Sequence, residues 1–204
     1  LRAPGVTMLL RSLRTALRSR HKRATCQLML DVRSFVRLHF LDAAARSGLA
    51  AALRGPATRV ELAARLGRER PDLLHALLDL GLSLGELAED RNGVRAKGRI
   101  LRAMQAEDGD GLAALAEAFA TYYNSVYQLL PGRLAGAPSG DYLDWIGPVV
   151  ARFSRLAEPY VEGFVADAAR GREGVRVLDA GCGSGAYLRM VAAAAPGARG
   201  LGLD

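Results

Sequence analysis

The sequence predicts a mainly α-helical N-terminal domain of winged-helix type, followed by the start (strand–helix–strand) of an α/β Rossmann-like domain. Three observations predict it. Residues 24–80 repeat apolar side chains at helical spacing, punctuated by capping and breaking residues. Asn92-Gly93 separates two short segments of residues 86–96, which is a hairpin signal. The run VRVLDAGCGSG, residues 175–185, sets a short apolar strand before alternating glycines and a helix-forming stretch.

Residues 1–37 are read as a basic arm and helix. Residues 1–40 hold nine Lys/Arg and one acid, Asp31, whereas the remainder holds nineteen and twenty. Leu9, Leu10, Leu13 and Leu17 fall at helical spacing, with Arg11, Arg14, Arg18 and Arg20 between them. Such an arm can touch anionic membrane or nucleic acid, and its lack of acids is shared with transit peptides. The reading preferred here is a solvated basic helix whose leucine face packs on a partner subunit.

Residues 38–100 are read as the winged helix. From about Ala24 to Arg46, the positions Leu28, Val32, Phe35, Val36 and Phe40 predict one helix, which continues through LDAAARSGLAAALRG with a break near Gly48. Thr58 and Glu61 form a capping box that opens ELAARLG, ended by Gly67. Pro71 suits the first turn of a third helix, which is predicted to stop at Gly81. Three helices and a hairpin complete the pattern. In a DNA-binding winged helix the third helix would present basic or amide side chains. Here it carries Leu73, Leu74, Leu77 and Leu78 with Asp72 and Asp79, and Arg68 and Arg70 lie just before it. No sequence-specific nucleic-acid binding is expected, and His75 reads as a surface or packing residue.

Residues 101–172 are read as a helical linker and cavity wall. LAALAEAFATYYNSVYQLL predicts a long helix ended by Pro131-Gly132. A further helix from about Tyr142 to Arg170 is interrupted by Pro148 and Pro159 and closed by Gly171. Tyr123 and Tyr127 are an i, i+4 pair and share a helix face. They line a substrate or cofactor pocket, or form a half-buried aromatic stripe; Trp145 and Phe153 carry the same two readings.

Residues 173–204 hold the chemistry. Asp179 ends the strand, and Gly181, Cys182, Gly183 and Gly185 make the turn into a helix running to about Ala195. Glycines there permit a tight turn and let a ligand approach bare backbone, and the helix points its first amides at the same place. GCGSGA also fits the looser G-x-G-x-x-A dinucleotide pattern. Asp179 argues against a pyrophosphate and suits a cationic group. Asp204 closes GARGLGLD, where a second strand should end, and a carboxylate there accepts hydrogen bonds from both ribose hydroxyls. A cationic amino-acid end, a nucleoside and no phosphate describe S-adenosylmethionine. Cys182 reads as a small residue lining that site in preference to a nucleophile.

VLDAGCGSG followed by GLGLD resembles motif I and the acidic end of strand two in class I S-adenosylmethionine-dependent methyltransferases, with Asp179, Gly181, Gly183 and Gly185 matching the motif. The stretch of about Phe35–Ile100 resembles the winged-helix dimerisation domain of small-molecule O-methyltransferases. The resemblance implies a homodimer, a small-molecule methyl acceptor and a cofactor held by Asp179, Gly181, Cys182, Gly183, Gly185 and Asp204. It also implies that the chain stops after the second strand of a seven-stranded sheet, so that this piece alone is inactive. None of His21, His39 or His75 matches the family's catalytic base, so no catalytic residue is assigned. The rival readings are a winged-helix nucleic-acid-binding or dimerisation module, and an NAD(P)-dependent oxidoreductase.

Half the residues are hydrophobic and about a quarter are charged, as in soluble globular proteins. No apolar run approaches transmembrane length. Two cysteines, Cys26 and Cys182, are too few for a disulfide framework, which points to a reducing, cytoplasmic setting. No metal-ligand set is identified.

Overall fold

The computed structural model describes residues 20–66, 69–138, 140 and 146–204. The leucine–arginine pattern of residues 9–18, the helix stop at Gly67, Arg68, Tyr142 and Trp145 lie outside the described residues.

Helix α1 (Lys22–Arg46) supplies Phe40, Leu41 and Ala44 to the core. Its earlier predicted apolar positions, Leu28, Val32 and Phe35, are exposed. Arg33 donates to the carbonyls of Ser83 and Leu84 at 3.4 and 3.3 Å, a cation on the electronegative end of a neighbouring helix. Arg37 pairs with Glu86, whose carboxylate is buried. Gly48, at φ +80°, turns the chain into α2 (Leu49–Ala52). Helix α3 (Arg59–Leu66) opens on the predicted capping box. The Thr58 amide donates to Glu61 Oε2 at 2.8 Å, and the Glu61 amide donates to Thr58 Oγ1 at 3.2 Å.

Helix α4 (Pro71–Leu84) runs through the expected stop at Gly81 and ends at Gly85, φ +79°. Gly81 is there for packing. A Cβ on it would lie 2.6 Å from Phe40 Cζ and 2.7 Å from Leu87 Cδ1, so it lets α1 and α4 approach. Strands β1 (Leu87–Asp90) and β2 (Gly93–Ala96) pair antiparallel with Asp90 opposite Gly93. The two-residue loop is therefore Arg91-Asn92, one position before the Asn-Gly pair. Asp90 Oδ1 accepts the Asn92 amide at 2.8 Å, and Gly93 takes φ +108°. Ala57 bridges to Val94, with amide–carbonyl distances of 3.0 and 2.8 Å. The core between these elements is Phe40, Leu49, Leu53, Leu62, Leu78 and Leu87, with Val94 and Leu101.

Beyond α5 (Arg99–Met104) come α6 (Asp110–Ala118) and one π-helical turn, Phe119–Tyr123. Helix α7 (Asn124–Leu134) follows directly and passes through Pro131, which removes one backbone donor without ending the helix. The Ala135 amide closes on the Pro131 and Gly132 carbonyls one turn later. Pro148 and Pro159 lie in the first turns of α8 (Gly147–Phe153) and α9 (Glu158–Ala169), and the expected interruption falls between these helices, where a 3-10 turn, Ser154–Leu156, precedes Pro159. Arg152 of α8 grips Asp110 at 2.7 Å and Glu117 at 2.8 Å on α6. Ala114, Ala118, Ile146 and Val149 form a second small core between these helices.

The chain then gives β3 (Arg176–Ala180), α10 (Ala186–Ala194) and β4 (Arg199–Leu203). The strands are parallel, with Val177 opposite Gly200 and Asp179 opposite Gly202. A mainly α-helical region leading into strand–helix–strand is the architecture the sequence predicted. Among the described residues no helix is long and apolar enough to cross a membrane, and no group of His, Cys, Asp and Glu could hold a metal ion.

Asp42 of α1 is buried, and its Oδ1 has no hydrogen-bond partner. Burial raises its pKa above the ordinary 3.8; Arg46 opposes the rise, Glu117 adds to it and His39 opposes it. The folded protein thus holds this proton at pH values where the unfolded chain has released it. Stability from this residue is therefore lost as pH rises through that window. Asp42→Asn is expected to raise the melting temperature at pH 7, with the gain shrinking as pH falls below the unfolded value; thermal unfolding from pH 3 to 7 checks this.

Candidate cofactor site

The turn between β3 and α10 is set by backbone conformation. Gly181, Gly183 and Gly185 take φ of +81°, +45° and +70°, values that side chains with a Cβ disfavour. A Cβ on Gly181 or Gly183 would meet nothing within 4 Å, so the space beside the turn is open. The Leu203 carbonyl accepts both the Gly181 amide at 2.7 Å and the Cys182 amide at 3.0 Å. The Gly185 amide closes the turn on the Cys182 carbonyl at 2.7 Å.

Two carboxylates flank the turn, as the sequence suggested. Asp179 is half-buried in β3, and its Oδ2 is enclosed without a hydrogen-bond partner among the described residues. An enclosed carboxylate oxygen left unpaired is unfavourable, so the position is suited to a cationic donor. Asp204 follows β4 and turns back on the loop, accepting the Gly183 amide on Oδ1 at 3.2 Å. An ionised carboxylate has about four lone-pair sites, so accepting capacity remains for a ligand. Cys182 is a free, half-buried thiol packed toward β4.

The sequence reading missed what Gly200 and Gly202 do. A Cβ on Gly200 would lie 2.9 Å from Leu188 Cδ2, and one on Gly202 would lie 2.6 Å from Cys182 Sγ and 3.2 Å from Leu188 Cδ1. These alternate glycines strip one face of β4 so that α10 and the turn settle on it. The period-two G-x-G pattern in GLGLD, opposite a leucine of the preceding helix, was the available signal. Arg189 was also missed; its Nη1 donates to the Ser184 carbonyl at 2.7 Å.

The two tyrosines differ in burial. The π turn ends at Tyr123, whose ring stacks on Phe119 at 4.6 Å and meets Tyr122 edge-on at 5.2 Å. It packs with Phe153 against the second core, whereas Tyr127 is 65% exposed. The third-helix surface is also occupied. Arg59 bonds Glu89 at 2.9 Å and Asp79 at 2.7 Å, which raises its pKa and lowers that of Glu89. Arg70 pairs with Asp72 at 2.8 Å.

No protein-family model and no curated protein sequence matches the chain. Solved structures do. The mitomycin 7-O-methyltransferase MmcR aligns over 91% of this chain and 60% of its own, at 17% identity and TM-score 0.64. PigF, solved with SAH, aligns over 90% and 58%, at 23% identity and TM-score 0.67. CalO1, a methyltransferase in calicheamicin biosynthesis solved in an SAH-bound form, aligns over 91% and 60%, at 24% identity and TM-score 0.56. The chain shares their fold. It spans about three fifths of the length of these structures.

The close seat of α10 on β4 yields a test. Gly202→Ala is expected to destabilise the corner by about 1–3 kcal/mol, the usual range for overpacking. Adding Cys182→Ala, which removes the sulfur nearest the new methyl, is expected to recover part of the loss. Thermal unfolding of the single and double variants measures both.

Proposed function

We propose that the chain is part of an S-adenosylmethionine-dependent methyltransferase acting on a small-molecule acceptor, with oxygen the favoured acceptor atom. One observation carries the reading. Three left-handed glycines, the enclosed unpaired oxygen of Asp179 and the carboxylate of Asp204 meet at one corner. The fold shared with PigF and CalO1, both solved with SAH, supports it. The NAD(P) reading is disfavoured because Asp179 would face a pyrophosphate.

In this reading residues 173–204 open a Rossmann-like cofactor-binding domain. Gly181, Cys182, Gly183 and Gly185 offer backbone to the amino-acid end of the cofactor, Asp179 takes its ammonium, and Asp204 takes the ribose hydroxyls. The bound cofactor supplies a methyl group already activated on a sulfonium. The chain's own part is to position it, and positioning accounts for much of the rate in such a transfer. Residues 101–172 would wall the acceptor cavity, with Tyr123 and Tyr127 its weakest assigned members. None of the three histidines is given the role of base: His39 packs on Phe35 in α1 and His75 is exposed on α4.

Residues 38–100 are assigned as a winged-helix dimerisation domain. The dimer contact is expected over residues 24–80, so that it includes the part of α1 before this domain; the support is the set of exposed apolar residues there, Leu28, Met29, Leu30, Val32 and Phe35. The pairing of Arg59 and Arg70 with acids argues against specific nucleic-acid binding. Free thiols at Cys26 and Cys182 fit a cytoplasmic setting.

In the full chain, Asp204→Ala is expected to weaken S-adenosylhomocysteine binding by about 1.5–3 kcal/mol, the range for hydrogen bonds to a charged group. Gly183→Val should do at least as much harm, because valine strongly disfavours that φ. Calorimetric titration with S-adenosylhomocysteine and NADP decides; tight NADP binding with none of S-adenosylhomocysteine would favour the oxidoreductase. Light scattering at micromolar concentration is expected to give a dimer, shifted to monomer by Leu28→Glu with Phe35→Glu. A strict monomer for the unmutated full chain would count against the dimerisation assignment.

A further inference from the structure

The corner holds a cation that the site as described does not use. Arg189 lies one turn into α10, and helical side chains lean toward the N-terminus of their helix. Its guanidinium reaches back over the turn, where Nη1 donates to the Ser184 carbonyl at 2.7 Å. It also lies 3.7 Å from the place where a Cβ on Gly185 would sit. The turn's own backbone thus anchors the guanidinium beside Ser184 and Gly185, at the end of the turn where α10 begins. Arginine has five N–H donors in a planar fork suited to a carboxylate. Arg189 makes no ion pair with a carboxylate among the described residues.

The proposed ligand has a matching need. Its amino-acid end is a zwitterion. Asp179 suits the ammonium and Asp204 the ribose, but both acids repel the carboxylate. We propose that Arg189 binds the α-carboxylate of the cofactor, and so selects ligands that retain it. The first amides of α10 point at the same place and favour the same negative charge. This assignment rests on the methyltransferase reading. It adds that the corner reads the two ends of the zwitterion with opposite charges, Asp179 on one and Arg189 on the other.

The test compares S-adenosylhomocysteine with its decarboxylated form, S-adenosyl-3-thiopropylamine, by calorimetry on the full chain. Arg189→Met keeps the aliphatic stem, and Arg189→Lys keeps the charge without the fork. Arg189→Met is expected to weaken S-adenosylhomocysteine about 10- to 100-fold, the range for one charge-assisted pair. It should change the decarboxylated compound by no more than about twofold, since that compound has no carboxylate to lose. Arg189→Lys should fall between. Equal loss on both compounds would make Arg189 a brace for the turn and overturn the proposal, as would unchanged S-adenosylhomocysteine binding in Arg189→Met. If the unmutated full-length protein, of which this chain is read as a part, binds neither compound, the methyltransferase reading itself fails, a result distinct from either.

Discussion

The carbonyl of Leu203 is the constraint on which the glycine corner between β3 and α10 depends. It accepts two successive amides, Gly181 and Cys182, and so fastens the start of the turn to the end of the neighbouring strand. With that end fixed, the chain must reverse within a few residues to enter α10. Left-handed backbone at Gly181, Gly183 and Gly185 provides the reversal. The same fastening brings Asp204 beside the turn, where it takes the Gly183 amide. One backbone acceptor therefore sets the positions of both the glycines and the second acid.

A comparable anchor organises the helical region. Glu86 is buried at the junction of α4 and β1, where it meets Arg37, and its backbone carbonyl accepts the amides of Lys97 and Gly98. Gly98 has no side chain because the Glu86 carboxylate fills the space a Cβ would need. Helix α1 is thus tied by Arg33 to the end of α4 and by Arg37 to the hairpin. Its second half is buried and its first half projects with apolar residues uncovered.

Features fixed by local backbone demands were legible in the sequence. The Thr58–Glu61 box, Pro71 at a helix start and the strand–glycine–helix corner each follow from a few adjacent residues. Features fixed by contacts distant in sequence were not. Gly81 read as a helix stop because a glycine near a helix end commonly is one; its reason is Phe40, forty-one positions earlier. Gly200 and Gly202 read as part of a strand leading to Asp204, and their role appears only with Leu188 packed on them. The tyrosine spacing was legible, but the burial of the two rings was not: Tyr123 packs toward the second core through contacts with distant residues, and Tyr127 is left exposed.

The stripped face of β4 has a consequence for how such a site can diversify. Gly181, Gly183, Gly185, Gly200 and Gly202 each disfavour a side chain, three by backbone conformation, Gly200 by Leu188 of α10, and Gly202 by Cys182 together with Leu188. These glycines are chemically mute: they present amides and carbonyls, and substitution there is expected to be damaging. New selectivity has to enter from positions that keep side chains beside them, such as Ser184, Tyr187 and Arg189. Change in ligand preference is thereby separated from the residues that hold the fold together, and a sequence can drift at the first without endangering the second.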